Sequence, residues 1–114
     1  MIDQSADVAK QVENVVEGMG KLSDSIGDKA LKEIQKKWGK KGVEAFRKAA
    51  DKGIVGATGQ NGIKVLKGGG IKIGGKNYTH EIKVLNKEYG DYRIFGYIDD
   101  AGEFIFDQFR KGLH

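Results

Sequence analysis

The 114-residue chain contains no cysteine and no proline. Without cysteine there is no disulfide framework and no thiolate zinc site. That suits a domain working in a reducing cytosol, and equally one that unfolds and refolds while crossing a membrane. Histidine is nearly as scarce. His80 and His114 stand 34 residues apart, without the His-Glu-x-x-His spacing of a zinc hydrolase. The only serines, Ser5, Ser23 and Ser25, fall in the first half, so a Ser-His-Asp triad has poor candidates. No apolar run approaches the roughly 20 residues of a membrane span. Residues 1–7 lack the basic start and apolar stretch of a signal peptide. Stable membrane insertion is not expected, and no cofactor is.

What the chain does have is charge and glycine. Twenty Lys/Arg against 16 Asp/Glu give +4, a hint of a polyanionic partner. The charge is not segregated: residues 1–50 and 51–114 each carry ten basic and eight acidic side chains. Nine of the 18 glycines lie between Gly53 and Gly75. They mark a change from a helical segment, residues 1–52, to a glycine-rich connector and sheet, residues 53–114, within one compact domain.

Three helices are expected in the first part. Val8, Val12, Val15 and Met19 recur at helical spacing. A second helix starts near Asp28, a good N-cap, has Leu31, Ile34 and Trp38 as its apolar positions, and stops at Gly39. A third carries Val43, Phe46, Ala49 and Ala50 and ends before Gly53. The run Lys36, Lys37, Lys40, Lys41 suits RNA phosphates, and equally an ordinary solvated helix end.

From residue 61 the period changes to two. Ile63/Val65 and Ile71/Ile73 read as short strands separated by Gly68-Gly69-Gly70. Tyr78 to Leu85 alternates as one strand, with Tyr78, His80, Ile82 and Val84 inward and Thr79, Glu81, Lys83 and Leu85 outward. Residues 86–91 form a turn, Tyr92 to Ile98 a strand, residues 99–102 a tight turn and Glu103 to Phe109 a last strand. The expected class is α+β: N-terminal helices followed by a twisted antiparallel sheet. One sheet face packs on the helices and the other is left open for function.

Several patterns bear on chemistry. Glu81-Ile82-Lys83 matches the second half of the E-x-K pattern of metal-dependent nucleases. The Asp such sites need on the preceding strand is missing, since no acidic residue occurs between Asp51 and Glu81. No metal site is therefore assigned. The loop from Gly56 to Lys64 lacks the Gly-Lys-Ser/Thr ending of a phosphate loop. It either connects flexibly or touches an RNA backbone through Thr58, Gln60 and Lys64.

The C-terminal strands place Thr79, Glu81, Lys83, Arg93, Asp107 and Lys111 on the open face. RNA cleavage without a metal needs a base for the 2′-hydroxyl, cations for the phosphorane and an acid for the 5′-oxygen. His, Glu, Lys and Arg on one exposed face supply all three. The same residues also suit cross-strand salt bridges such as Glu81 with Arg93. Strict alternation turns His80 inward, so either a bulge brings it out or Glu81 is the base. His114, at the end of the sequence, is the other proton carrier.

The runs Tyr78 to Lys83, Gly90 to Ile98 and Glu103 to Lys111 resemble the last three strands of RelE-like toxins. The wider group with that sheet includes barnase, EndoU and colicin-type ribonucleases. Many are C-terminal warheads of bacterial polymorphic toxins of the contact-dependent inhibition and Rhs types. Val12-Glu13-Asn14-Val15 is similar to the VENN boundary of those toxins but lacks its second Asn. The resemblance implies functional positions at Glu81, Lys83, Arg93 and Lys111, with His80 where members carry an aromatic residue.

The expected function is a metal-independent endoribonuclease toxin that cuts tRNA through a 2′,3′-cyclic phosphate. Catalysis falls to His80, Glu81, Lys83, Arg93, Lys111 and His114, and RNA contact to Thr58, Gln60, Lys64, Tyr92 and Asp107. The partners expected are RNA and an acidic immunity protein, with the domain itself a monomer. It would be secreted or surface-delivered by the producing bacterium and act in the cytoplasm of the target cell. The alternatives are an E-x-K nuclease and a non-catalytic RNA- or protein-binding module.

Overall fold

The computed structural model describes residues 21–56 and 61–111. The expected first helix, carrying Val8 to Met19, lies outside the described residues, as do Thr58, Gln60 and His114. A short 3-10 turn, Leu22–Ser25, precedes α1 (Asp28–Trp38) and α2 (Lys40–Asp51). Both helices follow the apolar spacing: α1 buries Ala30 and Ile34, and α2 buries Phe46, Ala49 and Ala50. Gly39 joins them with φ 73°, a left-handed value that glycine adopts without Cβ strain.

The strands that follow are β1 (Gly62–Val65), β2 (Ile71–Ile73), β3 (Lys76–Tyr78), β4 (His80–Lys83), β5 (Tyr92–Ile98) and β6 (Phe104–Lys111). They form an antiparallel four-stranded sheet, β1-β4-β5-β6, and a separate ribbon, β2-β3. The chain is α+β. Among the described residues no helix is long and apolar enough to cross a membrane.

One face of the sheet packs on the helices through Ile63, Ile82, Val84, Ile94 and Phe106, against Ile34, Phe46, Ala49 and Ala50. Each fully buried side chain of this size contributes about 1.5–3 kcal/mol. At one end Trp38 meets Tyr89, Tyr92 and Phe109 edge-on, with ring centroids 5.0, 5.1 and 5.7 Å away.

The other face differs from expectation. It is not wholly open, because Ile73 and Tyr78 of the ribbon pack with Phe95 of β5 in a second, smaller core. The single strand expected from Tyr78 to Leu85 is two elements. Tyr78 ends β3, the Thr79 N–H turns to the Gly96 carbonyl, and β4 starts at His80. The break at Thr79 puts Tyr78 in the second core, on the face opposite Ile82.

Strands β5 and β6 slip by one residue between Phe95, which faces Gln108, and Gly96, which faces Phe106. Asp107 is the extra residue of this β-bulge. Gly96 is where Phe106 crosses: an added Cβ would lie 2.3 Å from Phe106 Cδ1 and 2.6 Å from the Ile105 carbonyl oxygen. Gly96→Ala is expected to destabilise the fold by about 2 kcal/mol, through overpacking. Urea unfolding checks it, and an unchanged midpoint would refute the close fit.

Candidate functional site

Alternation on β4 and β5 sends Glu81, Lys83, Arg93 and Phe95 away from the helices, because Ile82 and Ile94 face them. The register then builds two rows across the sheet. One runs Lys64, Glu81, Phe95, Gln108, and the next Lys83, Arg93, Arg110. Three cations directly opposite one another repel, so this row is not arranged for stability.

Glu81 and Arg93 are the buried members, 5% and 8% exposed. This corrects the expectation of an exposed face: the ion pair is sunk in the sheet surface. Arg93 Nε lies 3.6 Å from Glu81 Oε1, an ion pair beyond hydrogen-bond length. The other arm of the guanidinium is tied down. Nη1 donates to the Tyr92 carbonyl at 3.1 Å and to that of Gly90 at 3.5 Å. The buried Nε–H makes no hydrogen bond among the described residues, and a buried donor without an acceptor is costly. Around the pair, Lys64 and Lys83 are half-buried. Exposed Arg110 is steadied by Gln108, whose amide oxygen accepts from Nε and Nη2 at 3.1 and 2.9 Å.

The bulge adds Asp107 to the same face. Its carboxylate accepts from the Tyr78 hydroxyl at 2.8 Å. Burial first, and then this hydrogen bond, push the Tyr78 hydroxyl up to about 12, so it stays a proton-bearing donor. Tyr97 packs edge-on against Tyr78 and accepts from Lys76 Nζ at 3.0 Å. That hydroxyl holds the Lys76 ammonium above the ordinary lysine range.

Three of the expected site residues are elsewhere. His80 is buried with the helix-side residues, its ring 4.9 Å from that of Phe104 and its Nδ1 2.7 Å from Thr79 Oγ1. Lys111 pairs with Tyr92 rather than with the cation row, because the bulge at Asp107 reverses the alternation beyond it. Tyr92 packs on Trp38 and Phe109, on the helix side. Conversely Gln108 and Arg110, not among the expected site residues, join the site, because the bulge turns them to the face of Phe95 and Arg93. The signal was present: Phe104 and Phe106 are two apart, but the next aromatic, Phe109, is three on.

Burial lowers the affinity of His80 for a proton below the ordinary histidine value. An unfolded histidine takes its proton near pH 6.5. The folded one takes it at lower pH, so in that window the unfolded state binds more protons. Stability from His80 is therefore full above about pH 6.5 and drains as pH falls below it. His80→Gln is expected to flatten the loss between pH 7 and 5, measured as urea midpoints. Parallel losses in wild type and variant would refute this.

No group of three or more His, Asp or Glu among the described residues could hold a metal ion. No family model, curated protein or solved structure matches the chain.

Proposed function

We propose that the chain is a metal-independent endoribonuclease toxin of the barnase/EndoU/colicin/RelE-like group, cutting tRNA at the Glu81–Arg93 face. The observation that carries the reading is the buried carboxylate beside an anchored guanidinium, in a row with two further cations.

In this scheme the scissile phosphate sits over the Lys83–Arg93–Arg110 row. Glu81 takes the proton of the 2′-hydroxyl, whose oxygen attacks phosphorus and forms the 2′,3′-cyclic phosphate. Arg93 and Arg110 neutralise the phosphorane, and Lys64 holds a neighbouring phosphate. The 5′-oxygen leaves with a proton from Lys83. Asp107, holding the Tyr78 hydroxyl, shapes the floor beside the row. His80 has no part, since it lies on the other face.

The biological setting proposed is competition between bacteria. The domain is released or displayed by a producing cell, acts as a monomer in the target cytoplasm, and is neutralised at home by an acidic immunity protein over the cation row.

The direct test is incubation of the full chain with total RNA in EDTA, followed by analysis of fragment ends. Cyclic-phosphate and 5′-hydroxyl ends are expected. Intact RNA, or cleavage only with added Mg²⁺, would overturn the reading.

A further inference from the structure

A second group of cations lies round the end of the sheet and takes no part in the scheme above. Lys37, in the last turn of α1, holds its ammonium 4.8 Å from the Tyr92 ring centroid and 5.6 Å from that of Trp38. Tyr92 is itself stacked on Phe109, 5.1 Å away at 15°. Such an arrangement positions an ammonium without neutralising it. Lys111 stands directly across from Tyr92 on β6.

Lys40 and Lys41 are exposed in the first turn of α2, where the helix dipole disfavours cations. None of Lys37, Lys40, Lys41 and Lys111 has an ion-pair partner among the described residues. The carboxylates one helical turn away, Glu33 before Lys37 and Glu44 after Lys40 and Lys41, make no ion pair with them among the described residues, and Glu88 and Asp91 sit in the exposed turn before β5.

This band adjoins the cation row. Arg110 and Lys111 are consecutive at the end of β6, the edge strand of the sheet, so one cation stands on each face along that edge. We infer that Lys37, Lys40, Lys41 and Lys111 bind phosphates of a single-stranded stretch of RNA continuing from the cleavage site. The inference rests on the reading of the Glu81 face as that site. Continuity with a row that takes a phosphate favours RNA over an acidic protein as the occupant.

The test compares the full chain with Lys37→Gln/Lys41→Gln. The probe is a 12-nucleotide 2′-O-methyl RNA, which lacks the attacking hydroxyl and cannot be cut. Fluorescence anisotropy is expected to show about tenfold weaker binding by the variant near 0.1 M salt. The slope of log affinity against log salt should fall by about 1.4, for two lost contacts to a single strand. Cleavage of a dinucleotide, too short to reach the band, should stay within about twofold of wild type.

Equal affinity and slope for the two proteins would overturn the band. So would unchanged RNA binding with lost affinity for polyglutamate, which would make it a protein-docking surface. If wild type fails to cut RNA of any length, the catalytic reading falls, while the 12-nucleotide probe still decides the band.

Discussion

Glu81→Gln is expected to reduce RNA cleavage by at least about a hundredfold while the chain stays folded. Glutamine keeps the shape of the side chain but cannot take a proton, and general-base catalysis is typically worth 10²–10⁴-fold. The substitution also leaves Arg93 charged and buried beside a neutral amide. Removing one partner of a buried ion pair costs on the order of 3–5 kcal/mol. Here the lower end applies, because the guanidinium is still held by the Tyr92 and Gly90 carbonyls. A domain with 5–15 kcal/mol in hand remains folded in the cold. Single-turnover cleavage should be measured at a temperature where circular dichroism shows wild-type secondary structure. A folded Glu81→Gln protein with wild-type cleavage would remove Glu81 from the chemistry, and the proposed scheme with it.

The second large effect is on the fold and comes from the opposite side of the sheet. Phe46 is completely buried. Its ring lies 6.1 Å from Trp38, 5.8 Å from Tyr89 and 6.1 Å from Phe109, so it ties α2 to the end of α1, the β4–β5 turn and β6. Phe46→Ala removes the ring and leaves a cavity that three other aromatic side chains cannot close without moving. The expected loss is about 3–5 kcal/mol, a large part of the stability of a chain this size. Urea unfolding monitored by Trp38 fluorescence should show the midpoint falling steeply. A loss under about 1 kcal/mol would mean that this corner repacks freely and is not the keystone of the helix layer.

The two variants separate cause from consequence. Phe46 lies in the helix-side core and the cation row on the opposite face of the sheet, so any fall in cleavage by Phe46→Ala should track the unfolded fraction. Glu81→Gln should lose cleavage with the folded fraction intact.

Legibility from sequence followed the length and regularity of each element. Helices of 11 and 12 residues repeat their apolar spacing often enough to declare it, and Asp28–Trp38 and Lys40–Asp51 were plain. Strand β5 was equally clear over seven residues. Glu81, Lys83 and Arg93 could be placed on one face because β4 and the matching half of β5 alternate without interruption. The ribbon β2-β3 has three residues per strand, too few to show a period. Its cover over Phe95 is a contact distant in sequence, and no local pattern encodes it. That is why the face carrying Phe95 was expected to be wholly open and is not. The break at Thr79 hid for another reason: alternation runs through Tyr78, His80 and Ile82 unchanged, while the backbone changes partners between them.

The bulge at Asp107 acts on β6 as a frameshift acts on a message. Before it, even-numbered residues are read by the helices; after it, odd-numbered ones are. Phe104 and Phe106 lie in one frame and Phe109 in the other, yet all three reach the same core. Arg110 and Lys111 are thereby dealt to opposite sides of the protein. Deleting Asp107 would merge the frames and leave Arg110 and Lys111 on their present faces, whereas straightening the strand with every residue kept would exchange them. The position of charge on this strand is thus set by a count of residues as much as by their kind.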